Sequence, residues 1–205
     1  MQGLADGYFV IPYTIGHYIA SNTLPKVDGN HEAFKAAKAE AQGRIDKLMG
    51  IKGTKTVDEM HRALGNIMWE KVGMARNKAG LESAIGEISK LREQFWQDVR
   101  VSGEVNNMNP ELEKAARVAD FMELGELMAR DALARNESCG GHFREEYQTP
   151  DNEAQRDDAN FCHVAAWEFK GDSGGDGATN GKMGWERHIE PLTFERVHLA
   201  TRSYK

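Results

Sequence analysis

The sequence predicts a mainly α protein: an up-and-down three-helix bundle, spectrin-repeat-like, with an apolar helix before it and an irregular tail containing a short β-hairpin behind it. Three observations predict this. Apolar residues recur at intervals of three and four in successive segments up to residue 135. Cap and breaker residues stand between those segments. After Asn136 the helical period stops. The expected division is therefore 1–29, apolar helix and linker; 30–136, helical bundle; and 137–205, extended tail.

Residues 2–20 place Leu4, Phe9, Ile15 and Ile19 among the apolar positions of a helix that Pro12 kinks or splits. "SNTLPKVDGN" is a linker by its Pro, Gly and Asn content. A helix rich in Ala, Lys and Glu follows from about His31 to Met49 and stops near Gly50. "IKGTKT" reads as a turn. Thr56, with Glu59 three residues on, is a capping box opening the next helix, where Met60, Leu64, Ile67 and Val72 share one face.

Asn77 and the Gly80 region break the pattern. Leu81, Ala84, Ile88, Leu91 and Phe95 then form the seam of a bundle. Asn109 followed by Pro110 is a cap with a first-turn proline. The helix it opens, to about Arg135, has a wide apolar arc of Leu112, Ala115, Ala119, Met122, Leu124, Leu127 and Met128, and is expected to be the most buried. In the tail, "HVAAWEF" and "FERVHLA" read as short strands, with the polar loop "GDSGGDGATNG" between them.

A net charge of −6 with interspersed signs argues against a nucleic-acid surface. No apolar run approaches the roughly 20 residues of a membrane-spanning helix. Met1–Ala20 lacks the basic lead and cleavage site of a signal peptide. Two cysteines, Cys139 and Cys162, fit a reducing compartment, and a cytoplasmic protein is expected. The apolar opening predicts a helix buried in a partner, or a chain cut from something larger; dimerisation of the chain through it is a further expectation.

The chemistry-bearing residues gather in "ESCGGHFREEYQTP", residues 137–150. Cys139, His142, Cys162 and His163 offer a zinc donor set, but Cys162 and His163 are adjacent and would point to opposite faces of a strand. Cys139 with His142 has the residue types of a nucleophile pair, and equally those of a helix C-cap and its neighbour. Glu145, Glu146, Asp157 and Asp158 are best read as partners of Arg144 and Arg156 that tie the tail down. Residue chemistry alone identifies no self-sufficient active site: no catalytic, cofactor-binding or metal residue is assigned. Glu137, His142, Arg144, Asp157 and Asp158 are the predicted structural and interface motif.

That motif carries a resemblance. "ESCGGHFREEYQTP", then "RDDANF" and the terminal "TRSYK", resemble the C-terminal part of the flavoprotein subunit of succinate dehydrogenase and fumarate reductase, particularly the anaerobic bacterial type. Glu137, Ser138, Gly140, His142 and Arg144 match the family's E-S-R-G-x-H-x-R segment. Asp157, Asp158 and Asn160 match its D-D-x-N stretch, and Arg202, Ser203 and Tyr204 its R-S-Y end. Cys139 departs from the usual arginine. "MQGLADGYFVIPYTI" looks like the helix following the family's flavin- and substrate-binding loop, and "GNIMWEKVGMARN", "LREQFW" and "ELGELMARDALAR" look like its helical domain.

The resemblance implies scaffold and subunit interface in an enzyme that moves hydride between the dicarboxylate and FAD. The flavin and the catalytic residues would belong to domains upstream of Met1, with no cofactor in this chain. The implied partners are the N-terminal flavin domain of the same subunit, an iron–sulfur subunit and, indirectly, a membrane quinone subunit. The implied location is the inner face of a bacterial membrane, and residues 137–163 would dock on the flavin domain or the iron–sulfur partner. Two other readings remain open: the related C-terminal domain of L-aspartate oxidase, and a stand-alone helical interaction module.

Overall fold

A computed structural model describes residues 1–172, 183–196 and 198–200. The chain divides into two compact units, Met1–Arg44 and Ile45–Lys205. The first holds α1 (Gln2–Ala5), a π-helical turn (Asp6–Val10), α2 (Ile11–Ser21) and the start of α3 (Glu32–Gly50). The expected effect of Pro12 is present in a particular form. The backbone N–H of Ile11 reaches the Asp6 carbonyl, so the hydrogen-bond ladder slips by one residue just ahead of the proline. Proline has no N–H, and its ring crowds the carbonyl four residues back; a single wide turn relieves both problems without ending the helix. Tyr8, Phe9, Tyr13, Ile15 and Tyr18 are all exposed along this segment.

The second unit is built on α4 (Val57–Lys71), α5 (Lys78–Asp98) and α6 (Pro110–Ala134), which pack on one another. Each starts where the sequence places a cap. Thr56 Oγ1 accepts the Glu59 N–H at 3.2 Å while Glu59 Oε2 accepts the Thr56 N–H at 2.7 Å, completing the capping box. Asn77 Oδ1 accepts from Gly80 N–H at 2.8 Å, and Asn109 Oδ1 from Leu112 N–H at 3.1 Å with Pro110 in the first turn.

The α5 seam is buried throughout: Leu81, Ala84, Ile88, Leu91 and Phe95 are each at most 9 % exposed. Leu48 at the end of α3, Val57, Met60 and Leu64 of α4, and Val118 and Met122 of α6 complete the larger core cluster. Fully burying each such side chain contributes about 1.5–3 kcal/mol. A smaller cluster of Val72, Leu81, Ala84, Ala129 and Ala132 lies toward the far end of α6. The small residues matter there. A Cβ at Gly125 would sit 3.1 Å from the Met68 sulfur and 3.8 Å from Ile88 Cδ1, so this glycine is where α6 comes close to both neighbours.

The apolar arc of α6 is wider than the surface its neighbours cover. Leu124 and Met128, expected in the core, are 54 % and 45 % exposed. With Phe121, His61 and Met68 they line an open groove of about 240 Å³ between α4 and α6. Glu126, on the buried side, is fully enclosed. Its carboxylate accepts from Arg130 Nε and Nη2 at 2.9 and 2.7 Å and from Arg92 Nη1 on α5.

"IKGTKT" is more than a turn. Lys55–Thr56 (β1) pairs in parallel with Val99–Arg100 (β2), and Thr54 donates its N–H and hydroxyl to Asp98 Oδ1. Gly53 lets the two backbones meet, since a Cβ there would lie 1.9 Å from the Asp98 carbonyl oxygen.

Beyond α6 come a short helix, α7 (Asp158–Phe161), and an antiparallel hairpin of β3 (His163–Asp172) and β4 (Met183–Pro191). The expected strand "HVAAWEF" is β3. The expected "FERVHLA" is not its partner; its described residues lie outside any strand, and "MGWERHIEP" takes the place. Gly184, Pro191 and four charged or imidazole side chains disguise that segment as loop. Cross-strand packing selects it: Phe169 and Trp185 face each other at 5.1 Å between ring centroids, and the like charges of Glu168 and Glu186, opposite one another, are bridged by Lys170. Trp167 Nε1 donates to Asp131 on α6 at 2.7 Å and ties the hairpin to the helices. Most of the expected loop "GDSGGDGATNG", like the terminal "TRSYK", lies outside the described residues.

Gly53→Ala should lower stability by about 3 kcal/mol or more, because backbone rather than a movable side chain occupies the Cβ position. Denaturant titration followed by circular dichroism measures this; a loss below 0.5 kcal/mol on the order of surface substitutions would refute the close contact.

Candidate functional site

α4 and α6 end in the same region as α5 begins, and residues 137–158 fold over these termini as a clasp. A helix end leaves four carbonyls without intrahelical partners, and burial makes leaving them unpaired costly. Arg144, only 1 % exposed, answers this for α6: its Nη1 donates to the carbonyls of Ala132 at 2.9 Å, Leu133 at 3.3 Å and Arg135 at 3.4 Å. The positive guanidinium at the negative end of the helix adds a favourable charge–dipole interaction. Its Nε donates to Glu146, and its plane lies 5.4 Å from the centroid of the Tyr147 ring.

Arg76 holds the exit of α4, donating from Nε to the carbonyls of Val72 and Gly73, just past its last residue, at 3.1 and 3.0 Å. Its backbone joins the clasp: Arg76 N–H donates to Phe143 and Glu145 N–H to the Arg76 carbonyl. The start of α5 is held from the other side, with Asn77 Nδ2 donating to Glu145 and the Lys78 N–H to Glu146. A carboxylate at a helix N-terminus is favoured by the same dipole that favours Arg144 at the C-terminus.

Within the clasp the motif residues hold one another. Ser138, fully buried, accepts the Arg144 N–H at its Oγ (2.8 Å) and returns its hydroxyl proton to the Arg144 carbonyl (3.1 Å). Cys139 and His142 exchange N–H···O bonds of 2.8 and 3.1 Å across a tight turn, for which Gly140 takes φ +59°. That left-handed conformation suits glycine. Glu137, 2 % exposed, accepts from Arg135 Nε at 2.8 Å with one oxygen and from the Asp157 N–H at 2.9 Å with the other. Asp157 caps α7, accepting from Asn160, and Asp158 pairs with Arg156 at 2.6 Å. Glu137, His142 and Arg144 are thus brought together and satisfied within the chain, while Asp157 and Asp158 stand at the half-buried exit of the clasp.

His142 sits at the centre. Its Nδ1 lies 2.9 Å from Arg76 Nη1 and its Nε2 2.9 Å from the Arg135 carbonyl. A guanidinium can only donate and a carbonyl only accept. Nδ1 must therefore carry the lone pair and Nε2 the proton, which makes the ring neutral. Burial pushes the imidazole below its ordinary value, and the charges of Arg76, Arg135 and Arg144 push the same way. With both nitrogens committed, His142 has none left for a metal. Arg76 and Arg135 had no sequence signal; each follows a helix pattern as an ordinary basic residue, and only the fold brings them to one imidazole.

Among the described residues, one other group has metal-ligand character: Glu168, Glu186 and His188, exposed on the hairpin, with ligand atoms within 4.8 Å of one another. Lys170 Nζ lies 2.8 Å from Glu168 and 2.9 Å from Glu186, so an ammonium already sits where a cation would. No described helix is long and apolar enough to cross a membrane.

Arg144→Met should cost about 3–5 kcal/mol, since it strips three carbonyl contacts from a buried helix end. Arg144→Lys should recover only part, because one ammonium cannot replace the planar fork. Equal stability of the Lys variant and the native chain in denaturant unfolding would argue against this role.

Comparison with known proteins places the clasp in context. The family model described as fumarate reductase flavoprotein C-term matches residues 61–204. The Helicobacter pylori fumarate reductase flavoprotein subunit is 33 % identical over 140 residues, 68 % of this chain and 20 % of that protein. The Escherichia coli fumarate reductase flavoprotein subunit is 28 % identical over 141 residues, covering 68 % of this chain and 23 % of its own length. The chain thus spans about a quarter or less of these relatives.

Two solved structures share the fold. A quinol–fumarate reductase with menaquinol aligns at a TM-score of 0.65 and 22 % identity, over 83 % of this chain and 27 % of the other. Mycobacterium smegmatis Sdh1 with UQ1 aligns at 0.66 and 21 %, over 87 % and 26 %. The agreement of the family model across α4, α5, α6, the clasp and the hairpin establishes that the chain belongs to the family of fumarate reductase flavoprotein C-terminal domains.

Proposed function

We propose that this chain is the C-terminal part of a flavoprotein subunit that interconverts succinate and fumarate, and that it supplies scaffold and subunit interface. The observation that carries the reading is the clasp. The residues that resemble the family motif, Glu137, Ser138, Gly140, His142 and Arg144, fold into one buried polar unit that joins three helix termini. Such a unit stiffens a domain; it presents no nucleophile, general base or hydride acceptor to a substrate. In this reading α4–α6 belong to the up-and-down three-helix bundle expected over 30–136 and act as a rigid block between partners.

The chemistry lies elsewhere in the full-length subunit, where FAD accepts or returns the hydride. Electrons pass to an iron–sulfur subunit and onward to a membrane quinone subunit, with this domain on the inner face of the membrane through those partners. The exposed Tyr8, Phe9, Tyr13, Ile15 and Tyr18 support packing of the first unit on the flavin domain of the same subunit, and the clasp through 163 supports docking there or on the iron–sulfur partner. The 205-residue chain alone is inactive in this reading.

The test is the gene itself. Sequence 5′ of the Met1 codon should continue in frame into a flavin-binding domain, and the full-length product should hold FAD and turn over succinate or fumarate. A full-length product with no flavin, inert toward both acids, would sink the proposal. Oxidation of L-aspartate instead would assign the chain to L-aspartate oxidase.

A further inference from the structure

We propose that His142 is an acid-sensitive latch, whose protonation at Nδ1 breaks the bond from Arg76 and releases the 137–158 clasp from the ends of α4 and α6. The geometry leaves the neutral ring one arrangement. Nδ1 accepts from Arg76 Nη1 at 2.9 Å, and Nε2–H donates to the Arg135 carbonyl at 2.9 Å. A proton taken from solvent onto Nδ1 turns that acceptor into a donor facing a donor. It also sets an imidazolium beside a guanidinium that cannot lose its own charge.

The surroundings offer the new charge no counter-ion. Arg76 approaches from the end of α4, Arg135 from the end of α6, and Arg144 from the clasp. The carboxylates nearby are committed elsewhere. Glu137 accepts from Arg135 and the Asp157 N–H, Asp131 of α6 from Trp167 Nε1, and Glu145 and Glu146 hold the start of α5. His142 is 8 % exposed, so water solvates the cation poorly until the clasp moves.

The clasp is the element that can open without unwinding a helix. It has no helix of its own before α7, and it is attached to the bundle through helix-terminal carbonyls, the Arg76 backbone bonds and the salt bridges above. Opening exposes the ring, which then regains its ordinary value of 6.5. The folded value is the lower one, so the open form binds the extra proton. The clasp is therefore fully closed above 6.5 and loosens as pH falls below it. Between pH 7.5 and 5.5 linkage allows the open population to rise by up to about tenfold. That range stays above the ordinary glutamate value of 4.5, and Glu146, despite its partial burial, is held lower still by the Lys78 N–H and Arg144.

Hydrogen exchange of the full chain, corrected for intrinsic rate, should show protection of 137–150 amides falling several-fold from pH 7.5 to 5.5. Amides in the middle of α5 serve as the internal reference and should hold steady. His142→Gln, which keeps an acceptor and a donor but cannot charge, should flatten the difference to within about twofold. A native chain with unchanged clasp protection, or a Gln variant that retains the full drop, would overturn the latch. If the Gln variant does not fold, the NMR titration of the His142 ring decides. A midpoint clearly under 6.5 in the native chain, moving up in Arg76→Gln, upholds the latch, and a native midpoint at or above 6.5 removes it.

Discussion

The structure of the larger unit depends on the termination of α6. A 25-residue helix that buries eight positions cannot end in water, because its last turn lies beneath the tail. Its carbonyls must be met by something long, cationic and able to donate to several acceptors at once. Arg144 meets that requirement from ten residues downstream of Ala134, and the chain between must turn back sharply to deliver it. Gly140, in the left-handed conformation, and the reciprocal Cys139–His142 bonds make that reversal. Ser138 and Arg144 then lock it by exchanging hydrogen bonds. A glycine, a serine and an arginine at these spacings are thus a single device for ending a buried helix.

The same economy explains the rest of the polar interior. Glu126 lies deeper than any surface carboxylate, and its cost of burial is offset only because Arg92 reaches it from α5 and Arg130 from one turn along α6. Such a triad adds little to net stability compared with apolar packing. It does require α5 and α6 to keep one register, since a one-residue slip would leave a buried charge alone. Gly125, beside it in sequence, allows the approach of α4 at the same level. Register and closeness are set at neighbouring positions.

A domain assembled in this way is joined through the ends of its helices as well as through their faces. Among the described residues its buried ionisable groups are answered from within, and large apolar side chains are exposed on the first unit, on the groove flanked by Phe121, Leu124 and Met128, and on the hairpin at Val164, Phe169 and Ile189. Membership of the flavoprotein C-terminal family fits this distribution.

How much of this could be read from the sequence follows the range of the interactions. Thr56 with Glu59, Asn77, and Asn109 with Pro110 were legible because a cap and its target lie within one turn. The α5 seam was legible because one face of a helix repeats on itself. The clasp motif was legible as a set of residues through its family resemblance, but its geometry was not. Arg76 and His142 are 66 positions apart, and nothing local marks either as the other's partner. The parallel pairing of Lys55–Thr56 with Val99–Arg100, the choice of 183–191 over 194–200 as the second hairpin strand, and the exposure of Leu124 and Met128 were likewise decided in three dimensions. In each case the deciding quantity is how much surface another segment covers. The sequence by itself determined where α4, α5 and α6 begin and which face α5 buries; only the tertiary structure decided which ends meet, because unpaired carbonyls and buried charges take their partners from space, not from sequence.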